Sequence, residues 1–177
     1  SLYFMHGNRD FLIGQDFAQA TGATLLDDPC VIDLYGRRTL LAHGDAQCTD
    51  DTEHQAFRAV SRNEANKQRL LALPVEQRRQ MAQGLRAISM QNQKTGYKPE
   101  DITDVNPQTI SEVMQHYDVR LMIHGHTHRP AVHDLFIQGE PAQRIVLTDW
   151  HPTHGGYLFA DTNTIEARDW PGDWPRD

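Results

Sequence analysis

VRLMIHGHTH, residues 119–128, drives an apolar run into a glycine and then a His-Thr-His triplet. The run reads as a buried strand, and the glycine marks where it opens into a loop. A strand of this kind, ending in side chains that can do chemistry, points to an α/β fold with its site on loops at strand ends.

Two further stretches repeat the arrangement. LYFM (2–5) runs into His6-Gly7-Asn8-Arg9-Asp10, and the second half of VIDLYGRRTLLAH (31–43) ends on His43-Gly44-Asp45. Loops at strand ends can converge on one edge of a sheet, which would bring Asn8, His43, His126 and His128 to a common point. Neutral imidazole is a good ligand for divalent transition metals, and an amide oxygen adds a hard ligand. In an extended H-x-H both rings can point the same way, because side chains alternate along a strand. Adjacent glycines let the backbone turn sharply and approach an anion, and Arg9 can clamp a phosphate bidentately. Alone, an H-x-H, an H-G-D or a G-N-R-D turn is weak; three of them, each at a strand end, predict a metal site. His124 lies on the apolar strand before the glycine and is expected to be a core or supporting group, not a ligand.

Around these loops the pattern predicts a helix over 16–22 stopped by Gly22, and a strand pair turning at Gly36-Arg37. The chain turns helical from Asp51. Ala56, Phe57 and Val60 share a face, LLALP (70–74) is an apolar knot closed by proline, and 75–89 is amphipathic with Val75, Met81, Leu85 and Ile88 in phase. Residues 91–101 read as a polar loop. Residues 106–117 read as a helix with Asn106 as N-cap and Pro107 in the first turn. AVHDLFI, QRIVLTDW, GGYLFAD and TIEARDW follow as strands, and PGDWPRD reads as a frayed tail.

The bulk numbers suit one domain with a substantial core: 177 residues, and no apolar run near the roughly 20 a membrane span needs. Cys30 and Cys48 are too few for a disulfide framework or a zinc site, and are expected to be reduced thiols of a cytoplasmic protein. The net charge of −7 is uneven. Arg58 to Lys98 holds nine Lys/Arg against two Asp/Glu, a local +7, which leaves −14 for the remainder. A basic island in an acidic chain favours an anionic partner, although a solvated helical face gives the same count. It lacks interleaved aromatics, which argues against nucleic acid.

The three loops resemble the second half of the calcineurin-like metallophosphoesterase signature: a GN-[RHD]-D block, an H-G-D-type block and a GH-x-H block. FMHGNRDFLIG, LLAHGDAQCTDD, QAFR, DVNP and LMIHGHTHRPAVH together resemble the UDP-2,3-diacylglucosamine pyrophosphatase family of lipid A biosynthesis, across most of the chain. That resemblance implies a four-layer αββα metallophosphoesterase sandwich, N-terminally truncated, in a single domain over 1–177 with a helical insertion lid at about 51–100. It implies hydrolysis of a UDP-diacylglucosamine lipid to UMP and 2,3-diacylglucosamine 1-phosphate with a pair of Mn2+ ions. Asn8, His43 and His126 would hold one ion and His128 the other, with Arg9 on the diphosphate. Asp51, Ser89 and Lys98 match substrate contacts, as does His126, and Thr95 is chosen as a further one in a loop about two residues longer than usual.

The family's pattern also has a D-x-H block and a G-D block upstream of G-N-R-D, which supply the remaining ligands and the bridging aspartate. With a strand starting at position 2, the expectation is that the N-terminus of a longer protein is missing. The basic segment 58–98 is expected to line an acyl groove and touch anionic lipid, making a monomeric peripheral protein on the cytoplasmic face of the inner membrane. Competing readings are a nucleotide phosphodiesterase or dinucleoside-polyphosphate hydrolase of the same superfamily, and a fragment that binds ligand without chemistry.

Overall fold

Glycines and two-residue turns punctuate the chain where its elements end. The computed structural model describes residues 1–95 and 99–171, and the side chains of these except 89, 90, 92–95, 100, 101 and 171. The elements form two compact units, the first from Ser1–Leu25 and Asp45–Asn106, the second from Leu26–Gly44 and the described chain from Pro107 on.

In the first unit, β1 (Leu2–Met5) pairs with β2 (Ala23–Leu26). Between them α1 (Gln15–Thr21) stops at Gly22, whose φ of 71° is the left-handed cap that glycine adopts without penalty. Beyond the loop at 6–14, this unit adds a helical stretch of α2 (Thr52–Ser61), α3 (Glu64–Leu71), α4 (Val75–Thr95) and α5 (Glu100–Thr103). Its entrance and exit are tied together. The Asn106 amide donates to Gln47 O at 2.8 Å, the Asn106 side chain to the Asp50 carboxylate at 3.0 Å, and the Cys48 thiol to Thr103 O at 3.6 Å.

In the second unit a five-stranded sheet runs β3-β4-β5-β7-β6, from β3 (Cys30–Leu34), β4 (Arg37–Ala42), β5 (Leu121–His124), β6 (Ala131–Ile137) and β7 (Glu140–Val146). β5 is parallel to both neighbours and all four of its residues are buried, as the apolar run predicted. α6 (Pro107–His116) buries Ile110 and Met114, an i, i+4 pair on its inner stripe. The hairpin of β8 (His154–Ala160) and β9 (Ile165–Pro171) lays Leu158 and Ile165 against the cluster of Leu121, Ile123 and Ile145. The result is a mixed α/β fold.

Several boundaries differ from the expectation. The β3–β4 turn falls at Tyr35-Gly36, with φ of 54° and 84°, not at Gly36-Arg37. Two residues of positive φ make the turn whose twist matches antiparallel strands, and Asp33 Oδ1 fixes it by accepting from Gly36 N at 2.7 Å. α4 continues through 91–95 where a polar loop was expected, because Gln91, Asn92, Gln93 and Lys94 carry polarity without a helix breaker. β7 stops at Val146, leaving Leu147 to Trp150 in a loop. The tail from 172 lies outside the described residues.

Candidate active site

Two of the expected ligands meet in the second unit. β4 and β5 are parallel neighbours with Ala42 opposite His124, so the residues just past them emerge side by side. There the rings of His43 and His126 stand edge to face with centroids 5.0 Å apart. The loops carrying them are joined by backbone: Gly125 N donates to His43 O at 3.0 Å. Asp28 Oδ1 accepts from His43 N at 2.9 Å and holds the other loop in place.

The H-x-H triplet is not extended. His126 has φ 67° and His128 φ 56°, both in the left-handed region that side chains rarely adopt. Thr127 N donates to Gly125 O at 2.8 Å, a three-residue turn centred on His126. The expected shared direction of the two rings therefore gives way to divergence. His126 meets His43, whereas His128 Nδ1 lies 3.6 Å from Asp149 Oδ2. Such backbone is held only where the surroundings over-determine it, and here the strand end and the inter-loop bond do so.

His124 is fully buried beneath this loop, as expected of a supporting group. Its Nδ1 lies 2.9 Å from Gly125 O and its Nε2 2.9 Å from Arg144 Nη1. A carbonyl only accepts and a guanidinium only donates, so the ring is neutral with its proton on Nδ1. Gly44 is also fixed by this ring. At its φ of 111°, a Cβ would come 2.8 Å from His124 Nδ1 and 3.0 Å from Gly125 O.

Asp149 was missed in the sequence. It accepts from His151 Nε2 at 2.6 Å besides facing His128. Partial burial acts to raise its pKa but is outweighed by its own backbone N–H, the His151 hydrogen bond and the nearby imidazoles, which hold it below the usual Asp value. The only signal for it was its place two residues before His151, which is weak.

The other expected residues lie in the first unit. Asn8 is half-buried and Arg9 exposed, in a loop where His6 Nε2 donates to Ile13 O at 2.6 Å. Asp51 is the N-cap of α2, with Oδ1 accepting from His54 N at 2.9 Å, so one of its two oxygens has a structural duty. Ser89 and Thr95 lie on α4, their side chains outside the described ones, and Lys98 lies outside the described residues. Among the described residues no group of three or more His, Cys, Asp or Glu could hold a metal ion. The His43–His126 pair nevertheless fits part of such a set, as two imidazole donors fixed on adjoining loops.

No protein-family model matches the chain. Curated proteins do. It is 52% identical over 154 residues to a UDP-2,3-diacylglucosamine hydrolase of Chromohalobacter salexigens, covering 87% of this chain and 62% of that one. Against the protein of the same name from Cellvibrio japonicus it is 50% identical over 171 residues, 96% of this chain and 70% of the relative. Against that of Coxiella burnetii it is 50% identical over 168 residues, 94% and 68%. The chain thus spans between 62% and 70% of the length of these relatives. It belongs to the UDP-2,3-diacylglucosamine hydrolase family.

Proposed function

We propose that the whole protein hydrolyses the diphosphate bond of UDP-2,3-diacylglucosamine, giving UMP and 2,3-diacylglucosamine 1-phosphate for lipid A biosynthesis. The observation that carries this reading is the His43–His126 pair, set on adjoining loops at the ends of parallel strands. Family membership supports the substrate. A four-layer αββα sandwich with a helical lid is the fold that accompanies it.

In this reading His43 and His126 share one Mn2+, with Asn8 completing the family's pattern, and His128 serves a second. Bound there, such metals would supply Lewis acidity toward the diphosphate. Arg9 binds the diphosphate oxygens and stabilises their charge as the bond breaks. Asp51, Ser89, Thr95 and Lys98 contact the remainder of the substrate. No covalent protein intermediate is required.

The acyl chains need an apolar surface. On α4, Met81, Leu85 and Ile88 fall at i, i+4, i+7, one stripe, and all three are exposed. With the local charge of +7 over 58–98, this stripe supports attachment of a monomer to the cytoplasmic face of the inner membrane. Among the described residues no helix is long and apolar enough to cross a membrane.

The test is His126→Ala in the full-length protein, assayed for UMP release with Mn2+. Loss of turnover with unchanged circular dichroism is expected; turnover like the wild type would refute the assignment.

A further inference from the structure

We propose that Arg62 is a positioning residue for the Asn8–Arg9 loop, through which the helical insertion sets the conformation of the diphosphate-binding segment. The proposal rests on the hydrolase reading for what Asn8 and Arg9 touch.

α2 is amphipathic the wrong way round. Gln55, Arg58 and Arg62, at i, i+3, i+7, run along one side of it, Arg62 being its C-cap residue. That side faces protein. Gln55 Nε2 donates to Asp45 O at 2.7 Å and Cys48 O at 3.0 Å, and Arg58 Nε to Asp45 Oδ1 at 3.1 Å. Asp45, the last residue of the H-G-D block, is 1% exposed. Val60, on the apolar face that the spacing picks out, is 59% exposed.

Arg62 extends this polar row to the other motif loop. Its Nη2 donates to His6 O at 3.0 Å and to Gly7 O at 3.2 Å. These are the two carbonyls immediately before Asn8. The downstream side is closed by His6 Nε2 on Ile13 O, and by Ile13 N on Asp10 O at 2.9 Å. A charged donor on consecutive carbonyls fixes both peptide planes, and with them the direction in which Asn8 leaves the strand. One helix therefore braces the loops of two signature blocks through hydrogen bonds from its own side chains.

The test compares Arg62→Met and Arg62→Lys in the full-length protein. Amide exchange over residues 6–13 is read without metal or substrate, and kcat and KM for UDP-2,3-diacylglucosamine are read per folded molecule. Arg62→Met should speed exchange in that segment alone by about tenfold and lower kcat by about tenfold or more. Arg62→Lys, which keeps a cation able to reach both carbonyls, should recover part of each. Exchange and kcat within about twofold of wild type in Arg62→Met, or a lysine variant no better than methionine, would overturn the proposal. If Arg62→Met fails to fold, Arg62→Lys against Arg62→Gln decides on the same readings. A wild-type protein inactive on this lipid would refute the hydrolase reading alone, and the exchange result would still decide Arg62.

Discussion

Arg144 Nη1 donates to His124 Nε2 at 2.9 Å, within a contact that is buried on both sides. The opposite ring nitrogen is taken by Gly125 O, so the imidazole joins β7 to the loop carrying His126. His124→Leu would leave a buried guanidinium short of an acceptor and should cost about 3–5 kcal/mol. Arg144→Met removes the charge along with the bond and should cost less, about 1–3 kcal/mol. The double variant should be more stable than the sum of the single losses implies, as a denaturant-unfolding cycle would reveal.

Gly44→Ala should be destabilising out of proportion to one methyl group. Its backbone is left-handed, and the new carbon would meet His124 Nδ1 at 2.8 Å and Gly125 O at 3.0 Å. A loss of about 2–4 kcal/mol is expected, seen as a fall of several degrees in Tm. The readjustment should also separate the His43 and His126 rings and weaken Mn2+ binding by the protein before substrate is added.

The β8–β9 turn should give a pH signature. Asp161 Oδ1 accepts from Asn163 N at 2.7 Å and Thr164 N at 2.8 Å, and these bonds lower its pKa from the usual 3.8. A carboxyl with a depressed folded-state pKa stabilises the protein above its unfolded value and loses that effect as pH falls through the folded one. The stability gap between wild type and Asp161→Asn should therefore be constant above about pH 5 and shrink steadily through and below 3.8. Urea midpoints across that range measure it.

Ile88→Asp tests the outward stripe of α4. The side chain is 61% exposed, so stability should change by no more than about 0.5 kcal/mol. Binding to vesicles containing anionic lipid should weaken, and KM for the diacylated substrate should rise while kcat holds. An unchanged KM and unchanged vesicle binding would remove this stripe from the acyl site.

Where the sequence and the structure agree, one local cause is sufficient. Leu121 to Ile123 are apolar enough to require burial on both faces, and Gly22 alone can cap α1 in the left-handed region. The meeting of His43 and His126 was legible because each follows a strand. Their partners were not. Arg144 and Arg62 act through contacts made across many residues of chain, as does Asp149 in facing His128, and little in their immediate neighbours distinguishes them from solvated charges. The same holds for α2: its apolar residues have helical spacing, but spacing cannot tell which stripe faces inward when the polar one has buried partners. The left-handed His126 and His128 were hidden for another reason, since neither residue type demands that conformation.

The tie between residues 47–50 and 103–106 bears on how the chain finds its fold. β4 and β5 pair in register although Thr39 and Leu121 are far apart in sequence. Bringing such distant segments together carries an entropic cost that grows with the chain between them, and it slows topologies built on remote contacts. If the Asn106 bonds to Gln47 and Asp50 form early, the helical excursion becomes a closed side-loop. β4 is then separated from β5 by a short link on one side of a stem and by α6 with its flanking residues on the other. The search for the central parallel pairing becomes nearly local, and the excursion can vary in length without lengthening that search.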